Sequence, residues 1–232
     1  MKFEQKWYAG IREENGCKEY FPATVPGNVQ RDYAAHIGIL EDLMFSDNVT
    51  KLEETEGYTW EYRTILDFDA THNQKVFFVA EGIDYIFDIV LDGVHLHSQE
   101  GMYTKVELDI TKIAHNGSEL RIIIHPHPIL PGSMKRDRSE AAGSCKPPAC
   151  YLWDWNPRLL ISGMWLPAFI EVRNNDFIRN FEVKYNLDVK ALHADINFEI
   201  DCDSKPLIIF TDPDGYVVYE GYDTEISLDD VK

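Results

Sequence analysis

The segment Tyr58-Thr-Trp60-Glu-Tyr62-Arg-Thr64-Ile-Leu66-Asp-Phe68 puts its bulky residues on one parity and mostly polar ones on the other. A period of two matches the pleat of a strand with one face in a core and cannot fit the 3.6-residue repeat of a helix. Comparable runs follow at Lys75 to Ala80, Tyr85 to Leu91, Val94 to His97, Val106 to Ile110, Leu120 to Ile124 and Phe169 to Val172. Asp92-Gly93 between two of them predicts a two-residue hairpin, because both central positions of a type I′ turn need positive φ. Many short strands and almost no helix predict an antiparallel β-sandwich.

The exceptions are local. Residues 1 to 25 read as an edge strand and the loop after it. Val25-Pro-Gly-Asn28 reads as a turn, and Asn28 as the N-cap of a short helix from Val29 to His36 stopped by Gly38. Leu40 to Gly57 is polar and acidic and reads as a long loop, and Pro126 to Pro148, rich in Pro, Gly, Ser and charge, as an excursion out of the sheet. After Asn174-Asn-Asp176 a second rhythm begins. Phe177 to Val189, Ala194 to Ile200, Leu207 to Thr211 and Tyr216 to Tyr219 are four strand-like runs separated by Asp-rich turns. Two units are therefore expected, residues 1–175 and 176–232. Four strands make half a sandwich, so the second unit is either truncated or borrows a partner.

A net charge of −18 argues against a phosphate backbone as ligand, which needs clustered Lys and Arg, so nucleic acid is not an expected partner. No apolar run is long enough to cross a membrane as a helix. The start, Met1-Lys-Phe-Glu-Gln-Lys-Trp-Tyr, lacks the apolar stretch of a signal peptide, which leaves a cytoplasmic chain or one whose leader has been removed, periplasmic or secreted in that case. Cys17, Cys145, Cys150 and Cys202 do not form a disulfide framework, and reduced thiols are the expectation. Cys145 and Cys150 are close enough to bridge or share a metal, but no second pair completes a zinc pattern. No metal site and no cofactor are expected.

The stretch Tyr151-Leu-Trp-Asp-Trp-Asn-Pro-Arg158 is organised differently. Pro157 removes a backbone donor and restricts Asn156, so the segment is a shaped loop rather than an interior strand. If it is extended, alternation sets Trp153 and Trp155 opposite Asp154, the indoles anchoring the loop and the carboxylate reaching away from the core. A carboxylate held by aromatic neighbours suits sugar hydroxyls. The plainer reading makes both indoles core residues under a long loop and Asp154 a turn cap.

In order along the chain, Val25-Pro-Gly-Asn-Val-Gln30, Trp60-Glu-Tyr-Arg63, Phe87-Asp-Ile-Val-Leu-Asp-Gly93, Leu120 to Ile124, Trp153-Asp-Trp-Asn-Pro-Arg158 and Gly163-Met-Trp165 resemble the N-terminal region of family 2 glycoside hydrolases, in particular their β-mannosidase branch. The resemblance covers about residues 20 to 172, and the strand-rich remainder is similar to the start of the immunoglobulin-like domain that follows in that family. It implies an all-β fold: a jelly-roll, galactose-binding-like β-sandwich, then a partial immunoglobulin-like sandwich, with a (β/α)8 catalytic barrel beyond as partner. Family catalysis uses two glutamates in a retaining mechanism, one of them in an Asn-Glu dipeptide that occurs nowhere in this sequence. No catalytic residue is therefore expected in these 232 residues, and they are expected to be inactive alone.

What the resemblance implies for the site is a loop reaching into the barrel's mouth. Asp154 would hydrogen-bond the terminal sugar, Trp153 and Trp155 would brace the loop, and Arg158 would pair with Asp154 or with an acidic group of the barrel. Cys145-Lys146 and Leu152 depart from the Arg-Lys and Gly that close relatives carry there. The expected ligand is a terminal β-linked sugar, first a β-mannoside. A stand-alone carbohydrate-binding module, or the front end of a β-galactosidase, β-glucuronidase or exo-β-glucosaminidase, is the alternative, and a docking domain with no sugar contact is the third.

Elsewhere, His95-x-His97 and His125-x-His127 read as strand histidines without a third ligand at fixed spacing. Arg136-Asp-Arg138 reads as surface charge.

Overall fold

The structure, a computed structural model, describes residues 1–134, 137–174 and 176–229, without the side chain of residue 138. The expected charge cluster at Arg136 and Arg138 lies outside the described residues. The described chain is all-β, with one α-helix, α1 (Val29–His36), and falls into two compact units, residues 1–71 with 75–172, and residues 72–74 with 173–232.

In the first unit the strands are β1 (Lys2–Glu4), β2 (Trp7–Glu13), β3 (Gly16–Cys17), β4 (Phe21–Ala23), β5 (Trp60–Ile65), β6 (Gln74–Ala80), β7 (Ile86–Leu91), β8 (Val94–Glu100), β9 (Val106–Asp109), β10 (Glu119–His125) and β11 (Ala168–Asn174). One sheet has the order β1-β11-β6-β9. The other runs β3-β2-β5-β10-β7-β8, with β4 also paired to β2. The alternation read from the sequence fixes the layers: Trp60, Tyr62, Phe78, Phe87, Ile89, Ile122, Ile124 and Ile170 are at most 1% exposed and pack in one core. Each isoleucine and phenylalanine of this set contributes about 1.5–3 kcal/mol through burial. Register follows from the same pattern, with Ile122 facing Tyr62 on β5 and Ile89 on β7. Asp92 and Gly93, at φ 47° and 82°, make the hairpin between β7 and β8.

Two local expectations needed correction. Residues 1 to 25 are not an edge strand and a loop, because β2 is flanked by β5 on one side and by β3 and β4 on the other. Its inward parity of Trp7, Ala9 and half-buried Ile11 is diluted by the small Ala9 and Gly10, which hid the alternation. Leu40 to Gly57 is not all loop: residues Asn48–Gly57 form 3₁₀ turns that bury Val49, Leu52 and Thr55. Their spacing of three matches the three residues per turn of that helix, a period that a 3.6-residue reading passes over. Asn28 caps α1 as expected, its Oδ1 accepting from Arg31 N at 3.0 Å.

The second unit holds β12 (Asn180–Asp188), β13 (His193–Asp201), β14 (Ile208–Thr211), β15 (Val217–Gly221) and β16 (Glu225–Leu228). The first two and β16 form a sheet in the order β12-β13-β16, and β14 and β15 form a hairpin. The sequence reading missed β16, whose alternation spans only Glu-Ile-Ser-Leu. On β12 the row Phe181, Val183, Tyr185 and Leu187 lies opposite Ile200, Phe198, Ile196 and Ala194. Ala194, Ile196 and Ile226 are buried, yet the β12 row is 41–75% exposed.

Candidate functional site

The Trp-Asp-Trp stretch is a tight turn, not the extended segment expected. Trp153 N donates to Asn156 O and Asn156 N to Trp153 O, both at 3.2 Å, so Asp154 and Trp155 sit at the tip. Pro157 has no N–H, so the pairing cannot grow into a ladder. The turn brings the indoles together instead of setting them opposite the acid: their rings meet edge to face, 6.1 Å apart at 71°. Trp153 is half-buried, whereas Trp155 is 82% exposed and anchors nothing. Asp154 is exposed, and no described residue bonds its carboxylate. Asp154 is thus neither a core residue nor a cap.

Arg158 sits elsewhere than expected. It pairs not with Asp154 but with two glutamates, and is buried. Its Nε and Nη2 donate to the two oxygens of Glu56 at 2.8 and 2.9 Å, and Nη1 donates to Tyr151 O at 3.0 Å and to Glu140. The side chains of Arg158 and Glu140 are 1% and 2% exposed. A planar guanidinium with five donors suits this fork on one side and single acceptors on the other. Around it Tyr151, Leu160 and Ala141 form a small core beneath the turn.

Three further contacts hold the stem. Lys146 donates to Asp84 and to Ile161 O (2.7 Å), with both side chains of the ion pair buried. Burial pushes the Asp84 carboxyl above its ordinary range and Lys146 opposes the rise. The returning chain is zipped to the start of α1: Gly27 N donates to Met164 O and Val29 N to Ser162 O, both at 2.9 Å, while Gln30 Oε1 accepts from Ser162 N and its Nε2 donates to Leu160 O. Gly163, at φ 142°, exchanges two backbone bonds with Asp84, and a Cβ there would lie 2.7 Å from Tyr62 Oη. Only glycine fits.

Sequence reasoning did not single out Asp84, Glu140 or Glu56, and it named Lys146 and Gln30 only within motifs, without a role in the stem. One signal was available: Asp84 lies between Ile83 and Tyr85 in an apolar run, where an acid must be paired if buried. The other partners come from distant parts of the chain and carry no local mark.

His127 belongs to the same layer. It is buried, its Nε2 is 3.1 Å from Ser162 Oγ, and burial with the nearby charges of Lys146 and Arg158 lowers its pKa to about 3. The unfolded chain takes up this proton below the ordinary value of about 6.5 and the folded one does not, so stability falls as pH drops from 6.5 towards 3. From this residue alone the slope reaches about 1.4 kcal/mol per pH unit. Urea unfolding at pH 7 and pH 5 should show a smaller acid loss for His127→Gln than for the parent chain; equal losses would mean that His127 is not held neutral. The other paired histidines are ordinary surface groups: His95 and His125 both meet Asp88, at 3.4 and 2.7 Å. Cys17, Cys145, Cys150 and Cys202 are free thiols.

The family description glycosyl hydrolase 2 galactose-binding domain-like matches residues 7–166. The chain belongs to this family. Among curated relatives, the β-mannosidase of Mus musculus is 24% identical over 209 residues, 78% of this chain and 24% of that protein. The β-mannosidase of Bos taurus is 26% identical over 222 residues, 85% and 25% of the two chains. The family 2 chain described here thus spans about a quarter of the length of these relatives. Among solved structures, a β-D-mannosidase from Dictyoglomus thermophilum superposes with a TM-score of 0.73 at 19% identity, covering 99% of this chain and 29% of the other. A β-glucuronidase from Ruminococcus gnavus gives 0.66 at 17%, covering 100% and 38%. At such identities the likeness carries the fold, an all-β sandwich.

Proposed function

We propose that the chain is the non-catalytic N-terminal part of a family 2 exo-glycosidase acting on terminal β-linked sugars, first β-mannosides, and that its Trp-Asp-Trp turn completes the substrate pocket of a (β/α)8 barrel. The observation that carries this reading is a contrast in one short loop. The stem is held by two buried ion pairs and a glutamine clamp, while the carboxylate at the tip has no partner among the described residues. A rigid stem presenting an unpartnered acceptor suits a sugar hydroxyl, because the ordering cost is met before the ligand arrives. Trp153 braces the tip, Trp155 offers an indole face to the sugar or to the barrel wall, and Arg158 acts through the stem. The mannoside preference is supported by the β-mannosidase relatives, and the β-glucuronidases among the structural neighbours make a uronide the second candidate. Residues 176–232 are read as the start of an immunoglobulin-like sandwich, whose further strands would cover the bare β12 row.

In the full-length protein, Asp154→Ala should lower kcat/KM on an aryl β-mannoside at least tenfold, about 1.4 kcal/mol of transition-state stabilisation. The thermal midpoint should not move, since the side chain is exposed and bonds no described residue. Unchanged kcat/KM would remove Asp154 from the pocket.

A further inference from the structure

Where β1 leaves one sheet of the first unit and β2 enters the other, the chain encloses a cleft of about 600 Å³, a size usual for small-ligand sites. Its floor is the outward parity of β2 and β5. Trp7, Tyr62 and Thr64 face the core, so Tyr8 and Ile65 stand outward and remain 46% and 50% exposed. Register places Tyr8 opposite Arg63, and the Arg63 guanidinium lies over the Tyr20 ring, 5.4 Å from its centroid. The wall is fixed by Gln5, whose Nε2 donates to Phe3 O and Asp67 O at 3.0 Å while its Oε1 accepts from Asp67 N at 2.9 Å. Three bonds to main chain pre-organise that wall. A second hollow of about 420 Å³ is lined by the same Gln5, Lys6 and Tyr8 and continues along Pro22 to Val25, so the half-bare Tyr8 borders both.

The lining selects a ligand class. Arg63 is paired with Glu119, Nε to Oε2 at 2.6 Å, a glutamate it shares with Arg121, and within the lining Lys6 and Arg63 are matched by Glu4 and Asp67. The lining thus carries no net positive charge to favour a phosphate, sulfate or uronate. A peptide adding as a strand is excluded by topology, because β2 is already paired on both sides. What suits an exposed tyrosine face ringed by donors and acceptors, on a floor running through two hollows, is a flat ring with an apolar C–H face and hydroxyls at its rim, linked to another. We propose that this cleft is a second carbohydrate site, taking a neutral oligosaccharide with one pyranose on Tyr8. It shares no residue with the Asp154 turn and does not depend on the role proposed there.

The test is titration of the 232-residue chain with mannobiose and cellobiose, followed by amide chemical shifts. Saturable shifts centred on Tyr8, Tyr20 and Ile65, with dissociation constants in the millimolar range, are expected. Tyr8→Ala should weaken binding at least tenfold, Tyr8→Phe should retain it and Asp154→Ala should leave it unchanged. Ile65→Asp, at the other exposed floor position, provides a second variant and should weaken binding likewise. The proposal is overturned if neither disaccharide gives saturable shifts, if the shifts centre on residues 153–156, or if Tyr8→Ala binds as the parent does. Tighter binding of a glucuronate-bearing disaccharide or of a short peptide would overturn the ligand class.

Discussion

Lys146→Met should destabilise the first unit by about 3–5 kcal/mol at neutral pH, because it leaves the Asp84 carboxylate buried without its cation. Methionine keeps the length and apolar stem of lysine, so the loss reports charge rather than a cavity. Asp84 starts at a disadvantage, its Oδ1 having no partner even in the parent chain. The sign with pH follows from the direction of its shift. A carboxyl raised by burial binds its proton more readily folded than unfolded, so the cost of burying it grows as pH rises through the folded value and shrinks as pH falls. The Lys146→Met deficit should therefore narrow in acid. Adding Asp84→Asn should recover a large part of it at pH 7, as coupled neighbours do. Urea unfolding of the four members of this cycle measures both effects. Additive losses, or a deficit that widens in acid, would show that the pair does not act as a unit.

Arg158→Ala should cost a similar amount, about 3–5 kcal/mol, and for a related reason: the buried Glu140 loses the guanidinium that faces it and Glu56 loses a bidentate partner. Arg158→Lys should rescue little, because one ammonium cannot serve Glu56, Glu140 and Tyr151 O together. The residue's role in positioning can be separated from its role in stability. At a temperature where the variant remains folded, kcat/KM of the full-length protein should fall while the Trp153 and Trp155 resonances broaden, and that broadening is what Asp154→Ala would not cause. Full rescue by lysine would reduce Arg158 to a point charge.

Much of the sandwich could be read because its strands carry their instructions locally. Tyr58 to Phe68 alternates cleanly, Asp92-Gly93 dictates its own turn, and Asn28 its own cap. The strands that escaped include β2 and β16, whose alternation is diluted by Ala9 and Gly10 or limited to four residues, and β3 and β4, which are too short to alternate at all. The site divides in the same way. Trp153-Asp-Trp155 was visible as a motif, but its folding back into a turn depends on the Trp153–Asn156 bridge and on a stem assembled from Asp84, Glu140, Glu56 and Gln30. Those partners lie up to 132 residues from the groups they hold, beyond the reach of any local pattern, and so Arg158 was expected at the tip when it lies underneath.

In the sheet ordered β1-β11-β6-β9, the last strand to be synthesised is an interior one. Until residues 168–174 leave the ribosome, β1 has no neighbour to zip onto and β6 has only β9. Half of this sandwich must wait, its greasy inner face open to the solvent, for more than 160 residues to follow the first strand. Nascent chains stalled before residue 168 should accordingly be the ones that chaperones seize and proteases cut, and release should come abruptly once the missing middle slots in.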